Sequence, residues 1–329
     1  MVFEYSLQSM ELTNKKFFIT GATGFIGSNL VRELFKKRAK IYIIVRKTSN
    51  LWRINDIIEK VKIFTCDLWE YGKLKNIIFD IKPDIIIHAA TYGGYPFQND
   101  FDKTIRTNII GTMNLVNICL ESGFEIFINT GSSSEYGLKE EPMKETDILE
   151  PDNIYGVSKA TATLFCQMKA KTEKLPIITL RLFSPYGYYE DPGRLVPSVI
   201  ISCLSNKNPK LSSPHSVRDF VFIEDVIESY LKVLYNIYNI TYSYSVFNIG
   251  SGKQFSVEDV VEKIIKLTGS NVKPEWGSIV NVRNEPKIWQ ADISRAKNVL
   301  RWEPEHNLET GLDKTIKWFR KNMNLYGGK

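Results

Sequence analysis

Tyr155 and Lys159 stand four positions apart in Tyr155-Gly156-Val157-Ser158-Lys159, a spacing that puts a phenol and an ammonium on one face of a helix. A free phenol titrates near ~10 and carries protons poorly at neutral pH. A neighbouring cation favours the phenolate and brings the pKa toward the working range. Upstream, the segment Gly131-Ser132-Ser133-Ser134-Glu135-Tyr136-Gly137 follows an apolar run. A hydroxyl here can hold the substrate oxygen while Tyr155 exchanges its proton. Tyr-x-x-x-Lys also occurs on many surface helices, and a Ser/Gly turn can merely satisfy backbone. The two gain weight together, because the Tyr155 helix follows the strand ending in Thr130.

Near the start, Phe17-Phe18-Ile19-Thr20 leads into Gly21-Ala22-Thr23-Gly24-Phe25-Ile26-Gly27 and then an amphipathic stretch. A dinucleotide diphosphate needs a turn bare of side chains, so that backbone can approach, and a helix N-terminus facing it. The spacing is GxxGxxG, and the bland alternative is a glycine-rich turn with no ligand. About twenty residues further on, a carboxylate would hold the ribose hydroxyls of NAD. That place reads Val45-Arg46-Lys47-Thr48-Ser49. Arg46 and Lys47 either face solvent or meet the 2′-phosphate of NADP, so the expected cofactor is NADP, with NAD as the alternative.

These groups need a scaffold, and the rhythm of the chain supplies one. Short apolar runs at Phe17–Thr20, Ile41–Val45, Val61–Thr65, Asp84–His88, Glu125–Asn129 and Ile177–Leu182 alternate with helical patterns. The clearest of those patterns are Phe25–Lys37, Ile105–Glu121 and Ile154–Lys171. Such alternation predicts an α/β fold, a doubly wound parallel sheet of Rossmann type. Past Ser184 the rhythm loosens and prolines multiply. A smaller C-terminal substrate-binding lobe is expected there, with a helix capped by Ser256 and a last helix over Leu308–Met323. The expected division is an extension over 1–14, a dinucleotide domain over 15–183 and a lobe over 184–329 that the chain may cross.

Composition narrows the classes. The 329 residues are 43% hydrophobic and 24% charged with net charge +6, ordinary for a globular protein. The densest cations, Lys36, Lys37, Arg38 and Lys40, fall at a predicted helix end, where they complement the dipole. No basic stripe interleaved with aromatics marks a nucleic-acid binder. Cys66, Cys119, Cys166 and Cys203 show no CxxC pairing or metal spacing, so no metal is expected and a reducing, cytoplasmic setting is. No run reaches a membrane span, and Met1 to Asn14 lacks the apolar core of a signal peptide.

Together these motifs resemble the extended short-chain dehydrogenase/reductases of the NAD-dependent epimerase/dehydratase type, which act on nucleotide sugars. The resemblance runs from Lys16 to about Phe319. Besides the glycine turn, the serine loop and Tyr155/Lys159, it is carried by Cys66-Asp67-Leu68, His88-Ala89-Ala90, Asn108, Arg181-Leu182-Phe183-Ser184, Arg218-Asp219-Phe220-Val221 and Ala291-Asp292-Ile293-Ser294. It implies Tyr155 as acid-base, Lys159 as its tuner and a ribose ligand, and Ser132 in the Ser/Thr slot. It implies cofactor contacts at Asp67, Leu68, Ala89 and Ala90. Ser133, Ser184, Arg218 and Arg283 are implied substrate contacts, the arginines suiting a diphosphate. The 4,6-dehydratases of the family carry Asp-Glu directly after the Ser/Thr; here Ser133 and Ser134 stand there, and Glu135 comes one place late, read as a structural or solvated carboxylate. Dehydration is disfavoured. A 4-ketoreductase using NADPH is favoured, the Val217–Tyr230 stretch being similar to reductases that make dideoxy sugars. The alternatives are a 4-epimerase with bound NAD and, distantly, a non-catalytic redox sensor. The resemblance also implies a homodimer built on the helices from Ile105 and Ile154. The segment Tyr92-Gly93-Gly94-Tyr95-Pro96-Phe97-Gln98 either shapes the sugar site or is a simple turn.

Overall fold

A computed structural model describes residues 10–95, 97–237, 240–241, 244–279 and 286–326. Seven strands form one parallel sheet: β1 (Lys16–Thr20), β2 (Lys40–Val45), β3 (Lys62–Thr65), β4 (Ile85–His88), β5 (Ile126–Ser132), β6 (Ile177–Leu182) and, from far down the chain, β10 (Val246–Ile249). Their order across the sheet is β10-β6-β5-β4-β1-β2-β3. The runs are apolar throughout because helices cover both faces, and alternate side chains serve opposite layers. Phe17, Ile19, Ile41, Ile43, Ile85, Ile87, Ile126 and Ile128 enter one core. Phe18, Ile44, Ile86 and Phe127 enter the other, against Leu74, Ile78, Leu115, Val116, Cys119 and Cys166.

The helices are α1 (Phe25–Lys36), α2 (Tyr71–Ile81), α3 (Phe101–Ile105), α4 (Gly111–Ser122), α5 (Ile154–Glu173), α6 (Leu195–Leu204), α7 (Ile223–Tyr235), α8 (Val257–Thr268) and α9 (Leu308–Asn322). Side chains start several of them: Asn153 accepts from the Gly156 N–H at 2.9 Å to open α5, and Ser256 and Asp259 form a reciprocal cap on α8. The small strands pair as β7 (Ser184–Tyr186) with β9 (Phe220–Phe222) and β8 (Val217–Arg218) with β11 (Phe255–Ser256).

Two departures from the sequence reading bear on the site. The helical path predicted from Ile105 begins at Phe101 and passes through a π turn over Arg106–Ile110 before α4, placing Asn108 in a bulge. Strand β5, predicted to stop at Asn129, continues through Ser132, because Gly131 and Ser132 pair with Arg181 and Leu182 of β6. The chain returns to the sheet after Ser184: α7 packs against α1, and β10 pairs with β6.

All four cysteines are free and buried. Among the described residues no helix is long and apolar enough to cross a membrane.

Candidate active site

The glycine turn sits where a dinucleotide needs it. Gly21 adopts φ +69°, and a Cβ there would stand 2.5 Å from the backbone of Ala89 and Ala90 at the end of β4; only glycine fits. The Gly24 N–H donates to the Gly21 carbonyl at 2.9 Å and tightens the turn. A Cβ on Gly27 would strike that same carbonyl. Helix α1, which begins with Phe25 and Ile26, has no side-chain cap and no acid in its first turn. Its first N–H groups are therefore available to an anion. Residues of these types and conformations fit a bound dinucleotide diphosphate. Arg46 and Lys47 are exposed just beyond β2, and the Arg46 N–H donates to Ser49 Oγ at 2.9 Å. Asp67 follows β3 with its N–H on Glu70 at 2.6 Å. Leu68 is buried against Gly111, where a Cβ would come within 2.7 Å of it.

His88 ends β4 as a structural group. Its ring nitrogens meet Thr20 Oγ1 at 2.7 Å and Thr112 Oγ1 at 2.8 Å, and burial, then the Lys159 charge, push its pKa down to about 3. Thr20 also accepts from the Ala90 N–H at 3.2 Å, so His88 and Thr20 fix the strand end against the glycine turn.

Tyr155 opens α5 close enough to Ser132 and Thr91 for their hydroxyls to favour its ionised form, so the predicted phenol and hydroxyl share one site. Ser132 Oγ also accepts from the Ser134 N–H at 3.2 Å. Asn108 organises the opposite wall: its Nδ2 donates to the Tyr92 carbonyl (2.7 Å) and Ser158 (2.9 Å), while its Oδ1 accepts from the Tyr92 N–H (2.8 Å) and Thr91 (3.3 Å). Gly93 and Gly94 approach the Tyr155 ring, with Cβ positions 3.4 and 3.9 Å from its carbons. The segment from Tyr92 therefore shapes the site.

Lys159, expected to tune Tyr155, makes its hydrogen bond to the backbone of β5. Lys159 is buried, and its Nζ donates to the Thr130 carbonyl at 2.5 Å; the extension of β5 puts that carbonyl beside α5. Burial raises the Tyr155 pKa, and the opposing pull comes chiefly from Ser132, Arg194 and Thr91. Burial likewise lowers the Lys159 pKa, against the attraction of Glu135.

Glu135 is fully buried and structural. It accepts from Arg181 Nε (2.6 Å), the Ser132 N–H (2.9 Å) and Thr163 (2.9 Å), so its oxygens are committed away from the cleft. Ser133 Oγ accepts from Trp289 Nε1 at 3.2 Å, and the Arg218 guanidinium lies 5.4 Å over the same indole. Two expected substrate contacts are thus joined by a tryptophan that sequence reasoning missed. Ser184 holds the lobe by its N–H on the Asp219 carbonyl, 2.9 Å. Arg283 lies outside the described residues. Arg194 was missed too; its Nη2 donates to the Gly94 carbonyl at 2.5 Å and its guanidinium sits 4.3 Å over Tyr95. No spacing in the sequence signals either residue.

Comparison with known proteins gives the same placement. The profile of the NAD dependent epimerase/dehydratase family matches residues 17–250. A UDP-glucuronate 4-epimerase from Thermodesulfobacterium geofontis is 28% identical over 94% of this chain and 97% of its own. The UDP-glucuronic acid 4-epimerase of Bacillus cereus, solved with UDP-glucuronic acid and NAD, superposes with TM-score 0.82 at 27% identity, covering 93% of this chain and 99% of that one. The dTDP-glucose 4,6-dehydratase of Bacillus anthracis, solved with NAD, gives TM-score 0.82 at 26% identity, covering 94% and 98%. With a Rossmann-type sheet, a glycine turn shaped for a dinucleotide and a matching profile over most of its length, the chain belongs to the NAD-dependent epimerase/dehydratase family.

Proposed function

We propose that the protein reduces the 4-keto group of a nucleotide-linked deoxyhexose with NADPH, Tyr155 giving the proton. The observation that carries this reading is the contrast at the cleft. The hydroxyls of Ser132 and Thr91 act on the Tyr155 phenol and favour its ionised form, while positions 133 and 134 lack carboxylates and Glu135 is locked to Arg181. Redox chemistry at a carbinol is supported, and the paired acid and base of an elimination are not. Arg46 and Lys47, exposed past β2, favour the 2′-phosphate of NADP.

In the reduction, a bound nicotinamide supplies the hydride. The residues of the chain do the rest. Ser132 Oγ donates to the sugar oxygen, Tyr155 releases its proton to that oxygen as the carbinol forms, and Lys159 places a buried cation behind them. Arg218, braced on Trp289, is positioned for the substrate diphosphate, and Arg283 is the second arginine assigned to that anion.

A second reading, 4-epimerisation with retained NAD, is favoured by the names of the relatives from T. geofontis and B. cereus. Purified protein is mixed with NADPH and a panel of nucleotide 4-keto-6-deoxy sugars, following reduced-nicotinamide absorbance. Parallel samples hold UDP-glucose or UDP-glucuronate without reductant. Stoichiometric NADPH loss supports the reductase; a 4-epimer appearing without net redox change replaces it with the epimerase.

A homodimer is part of the same proposal. Val157, Leu164 and Met168 form an exposed apolar stripe on α5, at 40%, 54% and 45% exposure, with spacing that keeps them on one side. A monomeric mass by light scattering at micromolar concentration would remove it.

A further inference from the structure

Arg53 lies in the turn after β2, outside every motif read above, and is 9% exposed. Its backbone is pinned by Arg32, whose Nη2 donates to the Arg53 carbonyl at 2.6 Å. Its guanidinium lies 4.5 Å from the Trp52 ring centroid. Nε donates to the Tyr189 carbonyl at 2.6 Å, and Nη1 makes a long contact of 3.4 Å with the Thr23 carbonyl. Asp191 faces Nη2 at 3.8 Å, an ion pair beyond hydrogen-bonding distance. Of the five N–H groups of a guanidinium, one is well satisfied and one weakly. A largely buried guanidinium whose carboxylate stands at 3.8 Å is one that a closer anion can complete.

The neighbouring acid does not complete it. Glu190 is buried, and that burial pushes its pKa up to about 8; it is largely neutral at pH 7. Glu190 Oε2 has no partner among the described residues. Among the described residues Asp191 is then the carboxylate paired with Arg53, at 3.8 Å, and the Arg194 guanidinium is spent on the Gly94 carbonyl. The location of Arg53 states what its charge is for. Thr23, which Arg53 touches, is the middle of the Gly21–Gly24 turn.

We propose that Arg53 is a phosphate-binding residue of the dinucleotide site, its guanidinium fork held against the glycine turn by Tyr189 and Asp191 and directed at a phosphate of the cofactor. The loop after β7 thereby helps build the cofactor site, since Tyr189 and Asp191 position the fork. The proposal rests on the reading that the turn holds a dinucleotide.

The test is calorimetric binding of NADH and of NADPH to the full chain, without sugar, for wild type, Arg53→Gln and Arg53→Lys. Hydrogen bonds to charged groups are worth enough that Arg53→Gln should raise the Kd roughly ten- to a hundredfold. Arg53→Lys, which keeps the charge and loses the fork, should weaken binding by less. Equal loss for both cofactors assigns the diphosphate; loss confined to NADPH assigns the 2′-phosphate; either supports the proposal. A folded Arg53→Gln protein that binds both cofactors within twofold of wild type overturns it. If Arg53→Gln does not fold, Arg53→Lys decides: wild-type Kd values for both cofactors overturn the proposal, and a several-fold rise supports it. Wild-type protein that binds neither cofactor would instead defeat the underlying dinucleotide reading, whichever sugar reaction the enzyme runs.

Discussion

Replacing Glu135 by glutamine separates the structural reading of this carboxylate from a catalytic one. Glu135 is 0% and Arg181 2% exposed, and they pair at 2.6 Å. Burial works against the Arg181 charge, yet Glu135 and Tyr136 outweigh it and hold the pKa above its ordinary value. Glutamine keeps the volume and removes the countercharge. Both Ser132 N–H and Arg181 Nε require an acceptor, so the amide nitrogen must face a donor in either orientation. Breaking a buried pair from one side costs about 3–5 kcal/mol. For a chain this long, with roughly 2 °C of Tm lost per kcal/mol, Glu135→Gln should lower Tm by roughly 6–10 °C. Differential scanning fluorimetry reads this directly. Adding Arg181→Met removes the stranded charge and should recover part of the loss. A Glu135→Gln protein within about 1 °C of wild type that has nonetheless lost its activity would refute the argument, because the carboxylate would then be acting on substrate.

The remaining expectations concern the cleft and its supports. Tyr155→Phe should cut kcat by about 10²–10⁴, and Ser132→Ala by about 10²–10³ with a Tm lowered by roughly 2 °C for the lost cap on the Ser134 N–H; near-wild-type turnover in Tyr155→Phe would revive a non-catalytic role. Alanine at both Arg46 and Lys47 should raise the NADPH Kd roughly tenfold or more and leave NADH unmoved, as checked by titration; parallel losses would mean these cations do not meet the 2′-phosphate. His88 makes stability depend on pH. Its folded pKa of about 3 lies below the ~6.5 of the unfolded chain, so unfolding takes up a proton in that window. Its contribution is present above pH ~6.5 and is lost as pH falls toward 3, by up to about 1.4 kcal/mol per unit. His88→Gln should flatten the acid limb of a Tm-versus-pH series, and an identical slope in the variant would count against the assignment.

The sheet was legible because its strands are continuous apolar runs, and a run such as Ile85-Ile86-Ile87 has no other stable place than between two helical layers. Strand β10 was harder: Val246–Ile249 is four residues long and stands among polar neighbours, so nothing local marks it as a sheet strand. Its membership is settled by pairing with β6, a contact with residues more than sixty positions earlier. The end of β5 was missed for a related reason. Gly131 and Ser132 favour a turn by type, but their register with Arg181 and Leu182 overrides that preference. Trp289, Arg194 and Arg53 were invisible for another cause. Each acts by reaching across the fold to a backbone or a ring, and no sequence interval encodes that reach.

The pair Tyr155 and Lys159 shows how far spacing alone can carry chemistry. The interval correctly puts both on the face of α5 that meets β5, and Ser132 on β5 meets Tyr155 there. It does not say which acceptor the ammonium will choose. With β5 running on through Ser132, the Thr130 carbonyl competes for Lys159 and takes it at 2.5 Å, leaving burial to set the phenol. Both shifts have the same first cause, burial, which raises the Tyr155 pKa and lowers that of Lys159. At neutral pH the phenol therefore keeps its proton. A carbinol oxidation must first find a base to remove that proton, whereas a ketone reduction begins with it already in place beside Ser132. The proposed reduction would start from this protonated phenol, and an oxidation would start by deprotonating it.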